Sequence, residues 1–334
     1  MEKPTENAAK TTAETTAENH SRLMYFPITF YAVTMGLFGL TLALYAAGGI
    51  LEWVSPVGNI MRIISLIVLA AITVVYGAKA LIHPNAMKAE WSHPIRMTFF
   101  PATSISLLLA AVCFLPDNAG IANMFWLAGA GLQGILTLSI IARWIGHKPF
   151  EYSHINPAWF IPAVGNVVVP IAGAPLGYIE ISWLFLSGGM LFWIVLLTLV
   201  LNRMIFHTPI PGKMLPTLVI MIAPPAVSFV AYLQLTGEMD NFARILLNLG
   251  YVFFLIVITQ APGILKMPFS MSFWALSFPV ASLTIGSFHY AALTGSQSHG
   301  NVGLFLLALL SVIIVYLVVR TILAMLKGQV CKPE

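Results

Sequence analysis

Charge is scarce in this chain: Asp, Glu, Lys and Arg make up 8% of its 334 residues, against about 25% in soluble globular domains. None of them falls near the middle of any of its roughly ten apolar stretches. With 59% hydrophobic residues, that scarcity excludes an ordinary water-soluble domain and predicts an all-α integral membrane protein. Acids missing from the apolar stretches argue against a cation path, because intramembrane Asp, Glu or His usually marks proton relays and cation sites. Cysteine is nearly absent. Cys113 lies inside an apolar stretch and Cys331 near the C-terminus, too far apart in depth for a structural disulfide or a shared metal site. There is no His-Glu-x-x-His, no paired acidic motif and no phosphate-cradling glycine loop followed by lysine. The reading is therefore not an enzyme, with no catalytic residues, no cofactor and no metal. The net charge of +4 is spread over short connections, which argues against a nucleic-acid partner.

What is there is a series of candidate membrane helices, each needing about 20 apolar residues. The predicted spans are 27–50, 58–81, 97–115, 121–143, 157–176, 180–203, 215–236, 242–262, 271–294 and 301–326. Weak internal similarity at roughly 60 residues fits a helical hairpin repeated five times. Residues 23–327 then form one ten-helix transmembrane domain between an N-terminal tail, 1–22, and a C-terminal tail, 328–334. The N-terminal tail repeats Thr11-Thr12-Ala13-Glu14 as Thr15-Thr16-Ala17-Glu18 and holds no apolar run. It reads as disordered rather than as a signal peptide. Fourteen of the sixteen Lys and Arg residues lie in the tails or in the connections after even-numbered spans, leaving only Arg62 and Arg244 on the other side. Under the positive-inside rule both termini are cytoplasmic, in the cell's inner (plasma) membrane.

Proline placement separates the spans into two sets. Pro27 opens the first, Pro101 lies in the third, Pro162 and Pro170 in the fifth, Pro224 and Pro225 in the seventh, and Pro279 in the ninth. The even spans carry none inside, with Pro56, Pro116 and Pro262 at ends. Proline removes a backbone donor and clashes with the carbonyl one turn earlier, and lipid tolerates a broken helix only where protein or a water-filled cavity takes it up. The alternation predicts kinked odd helices around a central path and intact even helices facing lipid. Small residues accompany the kinks: Gly36, Gly39, Gly165, Gly173, Ala281 and Gly286. Ser104, Asn166, Ser228 and Ser282 are the candidate polar lining, with Ser106 and Ser277 beside them; neutral hydroxyls and amides solvate an anion without repelling it. Arg96, Arg143, Lys148, Lys213 and Lys266 are placed around the cytoplasmic mouth, where their field reaches about 8 Å at physiological salt, although topology alone also puts them there. Glu90, Glu151, Glu180 and Asp117 are assigned to loops or span ends, and His289 is the only histidine well inside a span.

Six stretches then resemble a family. They are Met35-Gly36-Leu37-Phe38-Gly39-Leu40, Ala89-Glu90-Trp91-Ser92-His93-Pro94-Ile95-Arg96, the run from His154 to Val164, Ile222-Ala223-Pro224-Pro225-Ala226, Ala231-Tyr232-Leu233, and the run from Phe273 to Ser282. In order and spacing they resemble the tellurite-resistance/dicarboxylate-transporter family, in particular its bacterial TehA-type channels; the plant guard-cell slow anion channels belong to the same family. The resemblance implies five tandem hairpins in quasi-fivefold arrangement, a central pore lined by the odd helices, and a homotrimer. It also implies an occluding phenylalanine on the ninth helix, which the Trp274-Ala275-Leu276-Ser277-Phe278 pattern places at Phe278. One departure is Thr34, where bacterial relatives often carry proline. The leading function is a gated, passive pore for small monovalent anions such as chloride or nitrate. The alternative is proton-coupled transport of a C4-dicarboxylate such as malate, or export of tellurite or sulfite, with His289 the only evident proton carrier. A non-conducting ligand-sensing receptor is the third reading, and loops this short disfavour it.

Overall fold

The computed structural model describes residues 22–146 and 150–332. Lys148 and nearly all of the expected N-terminal tail lie outside the described residues. Among the described residues the chain is entirely helical, with eleven α-helices. One set comprises α1 (Tyr31–Ala47), α4 (Pro101–Phe114), α6 (Phe160–Gly173), α8 (Ala223–Thr236) and α10 (Ser277–Thr294). A second set comprises α2 (Val54–Ile82), α5 (Ala119–Ile145), α7 (Ile179–Phe206), α9 (Asn241–Leu265) and α11 (Gln297–Leu326). The short α3 (Pro84–Ser92) follows α2. Among the described residues, nine helical segments are long and apolar enough to cross a membrane, and Pro157–Gly173 is a shorter apolar helix. At 1.5 Å per residue the latter reaches roughly 25 Å, less than the other nine.

The two sets differ in what surrounds them. In the first set, the four segments of full length are 72–89% buried over their most apolar stretch, against 22–33% for the second set. All of α6 except Ile171 is buried as well. Consecutive helices pack as pairs: α1 with α2, α4 with α5, α6 with α7, α8 with α9 and α10 with α11. Members of the first set also touch in a closed circuit, α1 to α4 to α6 to α8 to α10 and back to α1.

The prolines do something other than kink the middle of each inner helix. Every inner helix is entered through a 3-10 segment: Ile28–Phe30, Arg96–Phe99, Pro157–Trp159, Gly212–Ile222 and Met271–Leu276. Pro101 is the first residue of α4, and Pro162, Pro224, Pro225 and Pro279 fall in the first turns of α6, α8 and α10. In a first turn the missing N–H would have no helical partner anyway, and the fixed φ suits the start of a helix. Pro27 precedes its 3-10 turn, so α1 contains no proline. Only Pro170 lies inside an inner α-helix. The expectation for the even spans is also corrected: α9 continues past Pro262 to Leu265.

Close approach between inner helices depends on missing side chains. A Cβ on Gly39 would stand 2.8 Å from the Ala281 Cβ, and one on Gly36 2.8 Å from the Ser277 Cβ. Both distances are shorter than real carbon contacts, so α1 meets α10 here only because glycine occupies these positions. Thr34 is fully buried; its hydroxyl donates to the Tyr31 carbonyl at 2.7 Å and shares a 2.6 Å hydrogen bond with Ser106 of α4. Where a proline would break α1, this residue instead links it to its neighbour.

Candidate permeation pathway

Two cavities lie inside the circuit of inner helices, one beyond the other. The smaller, about 40 Å³, is lined by Met35 of α1, Ala102 of α4, Val164 of α6, Ala223 of α8 and the Met271–Leu276 segment. The larger, about 290 Å³, is lined by Ala46, Val112, Ile171, Val230 and Ile285, again one from each inner helix. Among the described residues, Phe278 is the one that lines both. Its side chain is 94% buried, being 6% exposed. Across from it Gly39 leaves the space a side chain would take, with the Phe278 ring 3.6 Å from where a Cβ would stand.

Local structure holds the Phe278 backbone from both sides. The Ser282 hydroxyl donates to the Phe278 carbonyl at 2.8 Å, and the Ser277 hydroxyl donates to the Trp274 carbonyl at 2.6 Å. Trp274, in the 3-10 segment before α10, donates its indole N–H to Thr321 of α11 at 2.9 Å. Phe278 thus sits one residue into α10, at the joint between a 3-10 segment anchored on α11 and an α-helix that starts at Ser277.

Of the four serine and asparagine candidates for the lining, only Ser282 faces a cavity. Ser104 and Asn166 point the other way, into a buried amide network with the second set of helices. Gln133 of α5, fully buried, accepts from the Ser104 hydroxyl at 2.6 Å and donates to Thr137 and to the Pro162 carbonyl, each at 2.9 Å. Asn166 donates to the same Pro162 carbonyl at 3.1 Å and accepts from Thr137 at 3.3 Å. Gly165 makes room for the Gln133 amide. Among the described residues, Ser228 is buried without a hydrogen-bond partner and lines neither cavity. The polar groups that do reach the larger cavity are Tyr45, Gln234, Ser282 and His289. Among the described residues, neither cavity is lined by a carboxylate.

Of the expected mouth cations that fall among the described residues, Arg96, Arg143, Lys213 and Lys266, none lines either cavity. Lys213 and Lys266 are exposed and Arg96 is half-buried. Arg143 donates to the Trp91 carbonyl at 2.9 Å and lies 5.1 Å over the Trp91 ring, which ties α5 to α3.

Sequence reasoning missed a charged cluster at the start of α1. Glu90 and Lys79, read as loop or span-end residues, are 4% and 1% exposed and pair at 2.6 Å. Glu90 also accepts from the Ile28 N–H at 3.2 Å and the Tyr76 hydroxyl at 3.0 Å, and Lys79 donates to the Phe26 carbonyl at 2.8 Å. This fixes the approach of the chain to α1 against α2 and α3. Glu90 lies inside the Ala89–Arg96 run that carries part of the family resemblance, which was the available signal. Gln133 had none, since it stands alone in an even span.

Residues 25–322 match the family described as voltage-dependent anion channel. The chain is 27% identical over 310 residues to the tellurite resistance protein TehA homolog of Haemophilus influenzae, covering 91% of this chain and 92% of that protein. It is 24% identical over 277 residues to the S-type anion channel SLAH2 of Arabidopsis thaliana, and 23% over 279 residues to the guard cell S-type anion channel SLAC1 of the same plant. In both plant cases the match covers 80% of this chain but only about half of the plant protein, 53% and 50%.

Proposed function

The chain belongs to the voltage-dependent anion channel family, and on that premise we propose that it is a gated, passive pore for small monovalent anions such as chloride and nitrate. It is a multi-pass membrane protein of a family whose members include anion channels. In this reading the nine long segments and Pro157–Gly173 make ten spans, arranged as five hairpins in quasi-fivefold fashion around one pore. The termini are cytoplasmic, the membrane is the plasma membrane, and the assembly is a homotrimer in lipid.

The observation that carries the proposal is that, among the described residues, Phe278 alone borders both cavities inside the circuit of inner helices. A phenyl ring between two narrow, apolar-walled spaces blocks hydrated ions by volume and by keeping the constriction dry. Phe278 stands where the 3-10 segment gives way to α10, so a small change at that joint moves the ring without breaking a helix. Among the described residues the cavities lack carboxylates, which favours anions over cations, and the neutral Gln234 amide on the larger cavity offers a donor to an anion. Arg96, Lys213, Lys266 and, outside the described residues, Lys148 add a positive field at the cytoplasmic side.

Export of tellurite or a related oxyanion, or proton-coupled carboxylate transport, is the second reading, favoured by the similarity to a tellurite resistance protein. Purified protein in planar bilayers under opposing chloride gradients separates the two. A small wild-type current that grows severalfold in Phe278→Ala and reverses near the chloride potential supports the pore. Silence from both, with the protein folded and inserted, turns the assignment to coupled or oxyanion transport.

A further inference from the structure

The larger cavity contains a histidine that the fold does not employ. His289 of α10 lines it beyond Phe278 and Ser282, and among the described residues it makes no hydrogen bond or ion pair with protein. Other histidines are engaged: His299 bonds Ser296 at 2.8 Å and stacks on Tyr290, and His154 accepts from the Glu151 N–H at 3.1 Å. A polar ring left free on a cavity wall has only water or a solute to bond.

The surroundings define which solute. From α1 the cavity receives Tyr45, whose hydroxyl is already donated to Asn59 at 2.9 Å. From α8 it receives the neutral Gln234, and from α4, the turn after it and α6 only apolar side chains and Pro116. Arg62 and Asp117, the charges whose field reaches Tyr45, are paired with each other. From α9, packed behind α10, Tyr251 is bonded to Ser287 at 2.8 Å, and from α11 His299 is engaged as above. Among the described residues no carboxylate lines the cavity to balance an imidazolium. The counter-charge has to enter with the solute.

We propose that the larger cavity is a protonation-linked anion site, in which His289 takes a proton from the outer solution as a monovalent anion occupies the cavity. Binding of either then favours the other by the same factor. This rests on the channel reading and adds to it a regulator: acid on the outer side fills the outer cavity with anion and raises the current through any opened gate. A unit charge about 4 Å away changes the occupancy of a monovalent anion by roughly fivefold even at the dielectric of water.

The test is voltage-clamped current in the Phe278→Ala background, with the outer bath moved from about pH 8 to about pH 5, either side of the ordinary imidazole value near 6.5. The expected result is a severalfold rise in anion current on acidification. His289→Gln should leave the current low and flat with pH, and His289→Arg high and flat. Both are polar replacements at a cavity wall, and a size-exclusion profile matching the parent shows that each has folded. An anion current whose pH profile survives His289→Gln unchanged overturns the proposal and leaves the channel standing. Absence of any anion current in the Phe278→Ala parent at both pH values overturns the channel reading and the proposal with it.

Discussion

The inner and outer helices are made of similarly apolar sequence, yet they are built differently. The outer helices run unbroken for 25–30 residues and leave large aliphatic side chains on their surface, such as Ile67 and Val74 of α2 and Leu138 of α5. The inner ones are 14–18 residues of α-helix behind a 3-10 segment, and most of their residues are buried. In lipid the apolar phase surrounds both sets, so hydrophobicity does not decide which helix goes inside. Backbone regularity does. A 3-10 segment with a proline at its end leaves backbone groups that lipid cannot satisfy, and only neighbouring protein or an enclosed cavity tolerates them.

The strongest test of this contrast is the charged clamp at the start of the first inner helix. Glu90→Ala strands a buried Lys79 and frees the Ile28 N–H, at an expected cost of about 3–5 kcal/mol. Arg62→Ala, at the half-exposed pair with Asp117, should cost about 1 kcal/mol or less. Denaturant titration in detergent reads both, and equal effects would break the comparison. A glycine exchange comes next. Gly39→Leu drives a side chain into Ala281 and Phe278 and should destabilise by about 1–3 kcal/mol. Gly131 of α5 has nothing within 4 Å of an added Cβ, and Gly131→Leu should leave the melting temperature in detergent within error of wild type.

Gln133 sharpens the comparison from the outer side, because it is the outer helix residue that holds two inner helices. Gln133→Ala removes three side-chain bonds, leaving Ser104 with the Pro101 carbonyl and the Pro162 carbonyl with Asn166, for a loss of about 1–3 kcal/mol at roughly 0.5–1.5 kcal/mol per bond. Gln133→Glu, which keeps the acceptor for Ser104 but removes the amide donors, tests whether the donated bonds matter. A Gln133→Ala protein as stable as wild type would show that helix packing alone holds α4 and α6 against α5.

The smallest effect is at the surface. Asp240 caps α9: its carboxylate accepts from the Ala243 N–H at 2.8 Å and from the Tyr232 hydroxyl at 2.6 Å. Those bonds, the Ala243 one foremost, hold its pKa below the ordinary carboxylate value. A carboxylate with a depressed folded pKa adds stability above its unfolded value, near 3.9, and loses that contribution as pH falls through the folded value. Melting followed from about pH 6 down to about pH 3 should therefore fall less in Asp240→Ala than in wild type; parallel curves would remove the cap from the account.

Much of this was legible in the chain itself. Apolar stretches locate the membrane segments, because length and hydropathy alone decide what crosses a bilayer. Proline and glycine placement separates the inner from the outer set, and the family resemblance carried by the Trp274–Phe278 run points to the phenylalanine that borders both cavities. Proline position was legible without its consequence: a sequence does not say whether proline kinks a helix or starts one. That depends on whether the preceding residues coil as α or as 3-10, which neighbouring helices settle. The facing of Ser104 and Asn166 was hidden for a related reason. Both sit in helices buried on all sides, where no hydrophobic periodicity marks a direction.

Composition and local chemistry determined the helical membrane class, the two kinds of span and the absence of carboxylates from their centres. The burial of Lys79 with Glu90, the turn of Ser104 and Asn166 toward Gln133, and the free ring of His289 on a cavity wall were decided only when the helices packed. Each depends on which distant side chain arrives within about 3 Å to share a hydrogen bond, and no pattern along a single helix carries that distance.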